Sequence, residues 1–206
     1  MDNPVNKYFS SLPDTTKDKL HRLEALYSSW NERINLVSRK DMDLFSLHHI
    51  LHSLGILKIV SFEPGTQILD AGTGGGFPGI PLAVVFPECS FTLVDSVRKK
   101  ITAVSDIIEK LRLNNTEAVW TRVEDIKEKF DFVVSRAVAP FPELVSWTLK
   151  HIKELSNNKL PNGLIALKGG SLPEELKNYP YCRIYDLGKF FDEEYFAEKK
   201  IVYMAV

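Results

Sequence analysis

The sequence predicts an α/β protein in which a helical segment precedes a mainly parallel sheet, itself closed by an antiparallel strand pair at the C-terminal end. Three observations carry this. Apolar residues recur at helical spacing through roughly the first sixty positions; short apolar runs then alternate with helix-length stretches; and the tail holds two β-rich runs with no full helix between them. The pattern changes at Pro64 and Gly65, which divides the chain into a helical extension, 1–64, and a core, 65–206, expected to pack as one compact unit.

Over 16–36, the residues Leu20, Leu23, Leu26, Tyr27, Trp30 and Ile34 fall at steps of three and four, which places them on one helical face. A second helical segment, "DMDLFSLHHILHSLGILKIV", starts at a capping residue, Asp41, and runs toward "SFEPGT". Strands are expected at "QILDA", "SFTLVD", "EAVWT", "DFVVSRA" and "GLIALKG", with helices near 79–86, 97–111, 124–128 and 140–155. Strands joined by crossover helices make a parallel sheet covered on both faces. "LSNNKLPN" reads as a surface loop, and "YCRIYDLGKFF" with "KKIVYMAV" as the antiparallel pair.

Composition bounds function loosely. A chain of 206 residues with 44% hydrophobic content buries a substantial core. Two cysteines, Cys89 and Cys182, suggest neither a disulfide framework nor a zinc cluster. The start of the chain lacks a basic region followed by an apolar one, and no stretch approaches the roughly 20 apolar residues that span a bilayer. A cytoplasmic protein is the expectation. The net charge of -1 gives no global footprint for nucleic acid.

The stretch "LDAGTGGGFPGIP" holds five glycines and two prolines directly after the first expected strand. In an open parallel sheet that strand-to-helix loop is where ligands bind. Gly74, Gly76 and Gly79 satisfy G-x-G-x-x-G, a weak signal alone. No Gly-Lys-Ser/Thr follows, so this is not a phosphate cradle of the P-loop kind. Asp70 precedes the glycines, where it would repel a pyrophosphate and attract a cation. Asp95 ends "FTLVD" about 20 residues on, the place from which an acid reaches ribose hydroxyls. After the third strand, Val123 could pack on an adenine, and Glu124 or Asp125 could accept from its amino group. Each acid alone is as readily an ordinary strand-end or capping carboxylate. Three at successive strand ends, with glycines between, fit S-adenosylmethionine, an adenosine that carries a positive centre.

These residues resemble a known family, the small-subunit ribosomal RNA guanine-N7 methyltransferases, also called glucose-inhibited division protein B. The similarity runs through "WNERINLVS", "HHILHSLGIL", "ILDAGTGGGFPGIPLAVVFP", "FTLVDSVRKK", "RVED", "FDFVVSRAVAP" and "ALKGG". The resemblance implies a class I S-adenosylmethionine-dependent methyltransferase, Rossmann-like, that modifies one guanine of 16S ribosomal RNA, with the 30S subunit as partner and a monomeric state. It also implies cofactor contacts at Gly72, Phe77, Asp95, Val123, Glu124 and Arg136, to which the loop reading adds Asp70, Gly74 and Gly76. The family pattern of the amino-terminal region falls on Asn35, Leu36, His49 and Ser53; His52 departs from it, standing where aspartate is favoured.

Guanine N7 has an in-plane lone pair and no proton to remove, so no catalytic base is named. An amino-methylating enzyme would carry an Asn/Asp-Pro-Pro-aromatic turn where this chain has "SRAVAP", and neither cysteine stands at a strand end suited to C5-pyrimidine chemistry. Arg136 is expected to hold the methionine carboxylate or the target base, since a guanidinium fork suits either. Lys168 is a candidate phosphate contact, with Asn35 and Arg39 as further RNA contacts. The basic residues Arg33, Lys40, Arg98, Lys99 and Lys100 extend that list. His48 and His52 stand at a spacing that can bind zinc, but no third ligand is close in sequence, so packed or hydrogen-bonded histidines are expected and no metal. Two alternatives stay open: a nicotinamide-dependent oxidoreductase using the same loop, and an inactive ribosomal-RNA-binding protein of the same fold.

Overall fold

The computed structural model describes residues 3–206, apart from the side chain of Arg39. Seven strands form one sheet: β1 (Gln67–Ala71), β2 (Ser90–Asp95), β3 (Thr116–Trp120), β4 (Phe132–Arg136), β5 (Gly163–Gly169), β6 (Arg183–Asp186) and β7 (Lys199–Ala205). Their order is β3-β2-β1-β4-β5-β7-β6. The first five are mutually parallel, and β7 runs antiparallel to both β5 and β6. The order reverses between β1 and β4, the switch point where open α/β sheets leave a crevice beyond their carboxyl ends. Burial follows position: β1, β4 and β5 are almost wholly buried, whereas the edge strands β3 and β6 are half exposed.

The helices are α1 (Pro4–Tyr8), α2 (Asp14–Asn31), α3 (Arg39–Met42), α4 (His52–Leu54), α5 (Gly79–Val85), α6 (Arg98–Leu111), α7 (Phe141–Thr148) and α8 (Pro173–Leu176). One apolar core joins α2, α5 and α6 to one face of the sheet, and a second joins α7 and α8 to the other. Alternation along β1 sets the division: Ile68 enters the first core, Leu69 and Ala71 the second. The amino-terminal helices therefore share a core with the sheet.

The sequence placed the strands well and several helices less well. The first helix stops at Asn31 rather than continuing to 36, because the Asn31 side chain takes over the backbone of the next turn. Its Oδ1 accepts from the amides of Leu36 and Val37, and its Nδ2 donates to the Val37 carbonyl. The second segment is broken into α3, a π-helical stretch over Ser46–Leu51, α4 and a 3-10 turn over Gly55–Lys58. The helix expected at 124–128 is a 3-10 turn, Val123–Asp125, and the one expected over 140–155 gives way after α7 to a 3-10 turn at Leu149–His151. Among the described residues no helix is long and apolar enough to cross a membrane.

Candidate active site

The glycine-rich loop leaves β1 at the switch point and is tied down on three sides. Beneath it, Asp70 Oδ2 accepts from Thr73 Oγ1 at 2.6 Å and from the Gly79 amide at 2.8 Å, joining the loop to the start of α5. Beside it, the Thr73 amide donates to Val94 O and the Gly74 amide to Asp95 Oδ2 at 2.9 Å. Above it, the Tyr27 hydroxyl of α2 donates to Gly75 O. Gly72 and Gly74 have φ of +66° and +58°, a region costly for residues with a Cβ. At Gly72 an added Cβ would also lie 2.7 Å from both methyls of Val138.

A cleft of about 440 Å³ opens over this loop, within the size range of small-molecule sites. Gly72, Gly74, Phe77, Asp95, Val123, Glu124 and Arg136 all line it, so residues from the ends of four strands converge there. Asp95 is well placed for hydroxyls: its two oxygens already accept from the amides of Gly74 and Val97, which fixes the carboxylate, and each keeps accepting capacity. Glycine backbone on one wall, a fixed carboxylate on the next and the Val123 side chain on a third make a cradle that suits an adenosine with a short polar tail.

Asp70, Gly76, Asn35 and Lys168 stand outside the lining of this cleft. Asp70 is fully buried and does not line the cleft. It alternates with Leu69 and Ala71, so it faces α5 rather than the opening. Burial raises its carboxyl from the ordinary 3.8 to about 7, against the opposing pull of Thr73 and Gly79. It fastens the loop to the start of α5. Gly76 is also outside the lining; a Cβ there would strike Ile80 and approach Tyr27, so this glycine permits packing. Asn35 is exposed and is not part of the lining. Lys168 pairs with Glu175 Oε2 at 2.7 Å, and its side chain is only 10% exposed. The Arg39 side chain lies outside the described residues.

Arg136 does reach the cleft, anchored in a way its sequence context does not reveal. Its Nη1 donates to His48 O at 3.0 Å, its Nη2 to His49 Nδ1 at 2.8 Å, and its guanidinium carbon stands 4.9 Å from the Phe77 ring centre. Burial and the adjacent guanidinium push His49 down to about 3, so the ring is neutral. Accepting at Nδ1, it carries its proton on Nε2, which is buried without a partner among the described residues. Two of the five N–H groups of Arg136 are thus committed to holding it in place, and the remainder can serve a ligand. The other two histidines of the cluster are engaged likewise: His48 Nδ1 meets Asp41 at 2.7 Å and His52 Nδ1 meets the Tyr195 hydroxyl at 3.0 Å.

Sequence reasoning missed several wall residues. Trp147 of α7 lines the cleft, as do Thr121 and Arg122. Ala137, directly after Arg136, has φ +51°; a non-glycine residue in that region is uncommon and clusters at functional sites. Nothing in "SRAVAP" signals it.

The family model of GidB, described as rRNA small subunit methyltransferase G, matches residues 16–183. This chain belongs to the GidB family. It is 50% identical over 200 residues to the ribosomal RNA small subunit methyltransferase G of Flavobacterium johnsoniae, covering 97% of this chain and 96% of that protein. It is 48% identical over 203 residues to the protein of the same name from Phocaeicola vulgatus, covering 98% and 97%. Among solved structures, a precorrin-6y C5,15-methyltransferase from Geobacter metallireducens shares the fold, with a TM-score of 0.55 and 13% identity over 76% of this chain and 88% of that one. A SAM-dependent methyltransferase from Aquifex aeolicus does so with a TM-score of 0.52 and 19% identity over 73% and 87%. Membership of GidB makes the chain a methyltransferase of the Rossmann-like α/β class, and the oxidoreductase reading is not favoured.

Proposed function

We propose that this chain methylates N7 of one guanine in 16S ribosomal RNA, with S-adenosylmethionine as methyl donor. The observation that carries this reading is the cleft itself, in which a glycine loop, Asp95, the Val123–Glu124 turn and Arg136 meet at four strand ends in a GidB chain. Bound S-adenosylmethionine supplies an electrophilic methyl group on a sulfonium. Asp95 accepts from ribose hydroxyls, Val123 packs on the adenine, Glu124 accepts from its amino group, and Arg136 turns its free N–H groups to the methionine carboxylate. Because N7 carries no proton, the residues have none to remove. Their contribution is alignment, worth about 7–11 kcal/mol in favourable cases.

RNA contacts fall to the exposed basic residues on the rim. Arg98, Lys99 and Arg122 are exposed beside the cleft, and Arg98 stacks on the exposed Trp120 ring at 5.1 Å. Such a cation and aromatic pair suits phosphate and base contacts. Lys100 stands 3.8 Å from Asp95 and is partly spent there. The near-neutral net charge favours recognition of an assembled 30S surface over general attraction to RNA. A monomer acting in the cytoplasm, with residues 1–64 as an extension packed on the 65–206 core, completes the reading.

The test is transfer of labelled methyl to 30S subunits and to naked 16S ribosomal RNA, with mapping of the product. A single N7-methylguanine is expected, formed faster on the subunit. Transfer to a base amino group, or to nothing despite measured cofactor binding, refutes the assignment.

A further inference from the structure

A second cavity, of about 330 Å³, adjoins the cofactor cleft, and the two share Ala137 and Val138 as a common wall. Val138 packs directly on Gly72. A molecule lying on Gly72 and another in the second cavity are therefore separated by one side chain.

Lys168 and Glu175 form the polar part of this cavity. Lys168 Nζ donates to Glu175 Oε2 at 2.7 Å and to Ala139 O at 2.9 Å, which leaves it one N–H. Glu175 Oε2 also accepts from the Phe141 amide at 2.9 Å, while hydrogen bonds to its Oε1 are absent among the described residues. The Lys168 side chain is nearly buried here, while that of Glu175 is about one-third exposed, at 33%. The pair presents a donor and an acceptor side by side to the cavity beside the methyl-transfer cleft.

Resting on the methyl-transfer reading above, we propose that this cavity receives the acceptor guanine, with Lys168 and Glu175 reading its Watson–Crick edge. Lys168 donates to O6 through its remaining N–H, and the free Oε1 of Glu175 accepts from N1–H and the 2-amino group. The pattern selects guanine: adenine presents a donor where guanine has O6 and an acceptor where guanine has N1–H, so both contacts would oppose like to like. Purine N7 lies on the other edge of the ring and stays free of these contacts. The residues carry specificity and position the base without touching the cofactor.

The experiment uses the full chain with 30S subunits reconstituted from 16S ribosomal RNA in which the mapped guanine is replaced by inosine, which lacks only the 2-amino group. Wild-type protein should methylate inosine roughly ten- to a hundredfold more slowly, the cost of one hydrogen bond to a charged group. Glu175→Gln should slow guanine methylation while shrinking that guanine-to-inosine ratio toward one, with the Kd for S-adenosylhomocysteine unchanged. Equal wild-type rates on guanine and inosine would overturn the proposal, and that measurement needs no variant. So would a Glu175→Gln protein that keeps the wild-type ratio. Absence of N7 methylation on unmodified subunits would remove the underlying reading along with it.

Discussion

Asp70→Asn should stabilise this protein more at pH 8 than at pH 5. The carboxyl is fully buried, with Oδ2 accepting from Thr73 and Gly79 and Oδ1 without a partner among the described residues. Burial raises it from 3.8 to about 7. An acid whose folded value lies above its unfolded value contributes stability that is complete below the unfolded value and lost as pH rises through the folded one. Here the loss runs from about pH 4 to pH 7. Between pH 5 and pH 8 only the two units up to pH 7 count, and at 1.36 kcal/mol per unit they amount to about 3 kcal/mol. Asparagine keeps the shape and a carbonyl for both donors but never ionises. Whatever its amide costs in the place of Oδ1 is independent of pH, so the difference between the two pH values isolates the charge. Urea denaturation of both proteins from pH 5 to pH 8 measures it, and the gap corresponds to about 6–12 °C in Tm for a chain of this size. A difference that is flat with pH, or that grows toward pH 5, would refute the reasoning.

Two further outcomes follow from the loop and its surroundings. His49→Leu removes the acceptor that holds Arg136, so affinity for S-adenosylhomocysteine should fall roughly tenfold, whereas 5′-methylthioadenosine, which has no carboxylate, should bind as before; His49→Asn should restore much of the loss, and equal weakening of both ligands in a fluorescence titration would show that the loop and not the guanidinium was disturbed. Gly72→Ala places a Cβ 2.7 Å from Val138 at φ +66°, which should cost about 1–2 kcal/mol of stability from backbone conformation alone and abolish measurable cofactor binding; Val138→Ala in the same chain should recover part of the Tm, and a Gly72→Ala protein that binds cofactor normally would disprove the close approach.

The parallel strands were legible because their signal is local. Runs such as "QILDA" and "DFVVSRA" are apolar on both faces, as buried parallel strands must be, and the acids at their ends announce the cleft. The loop's glycines and Asp95 were legible for the same reason. Asp70 was misread because its role depends on which face of β1 it occupies: alternation with Leu69 turns it under the loop toward α5. The ion pair of Lys168 was not legible because Glu175, seven residues along the chain, meets it only once the chain turns back through α8. Arg136 lines the cleft, but its anchors come from a π-helical stretch some 87 residues earlier, and no short-range pattern links the two. The Ala137 conformation and the reach of Trp147 are tertiary consequences with no sequence signature.

Strand β7 follows β6 in the chain yet lies inside it in the sheet, hydrogen-bonded to β5 on one side and β6 on the other. During synthesis, β6 leaves the ribosome before its partner strand β7 exists, and the open edge of β5, with its apolar Leu164–Leu167 run, waits with it. An uncovered apolar edge is a template for pairing with other chains. Removal of the residues after Lys199 would therefore not trim a tail. It would split the sheet, orphan β6 and leave a sticky margin, so truncated chains should aggregate rather than persist as shortened, weakened enzymes.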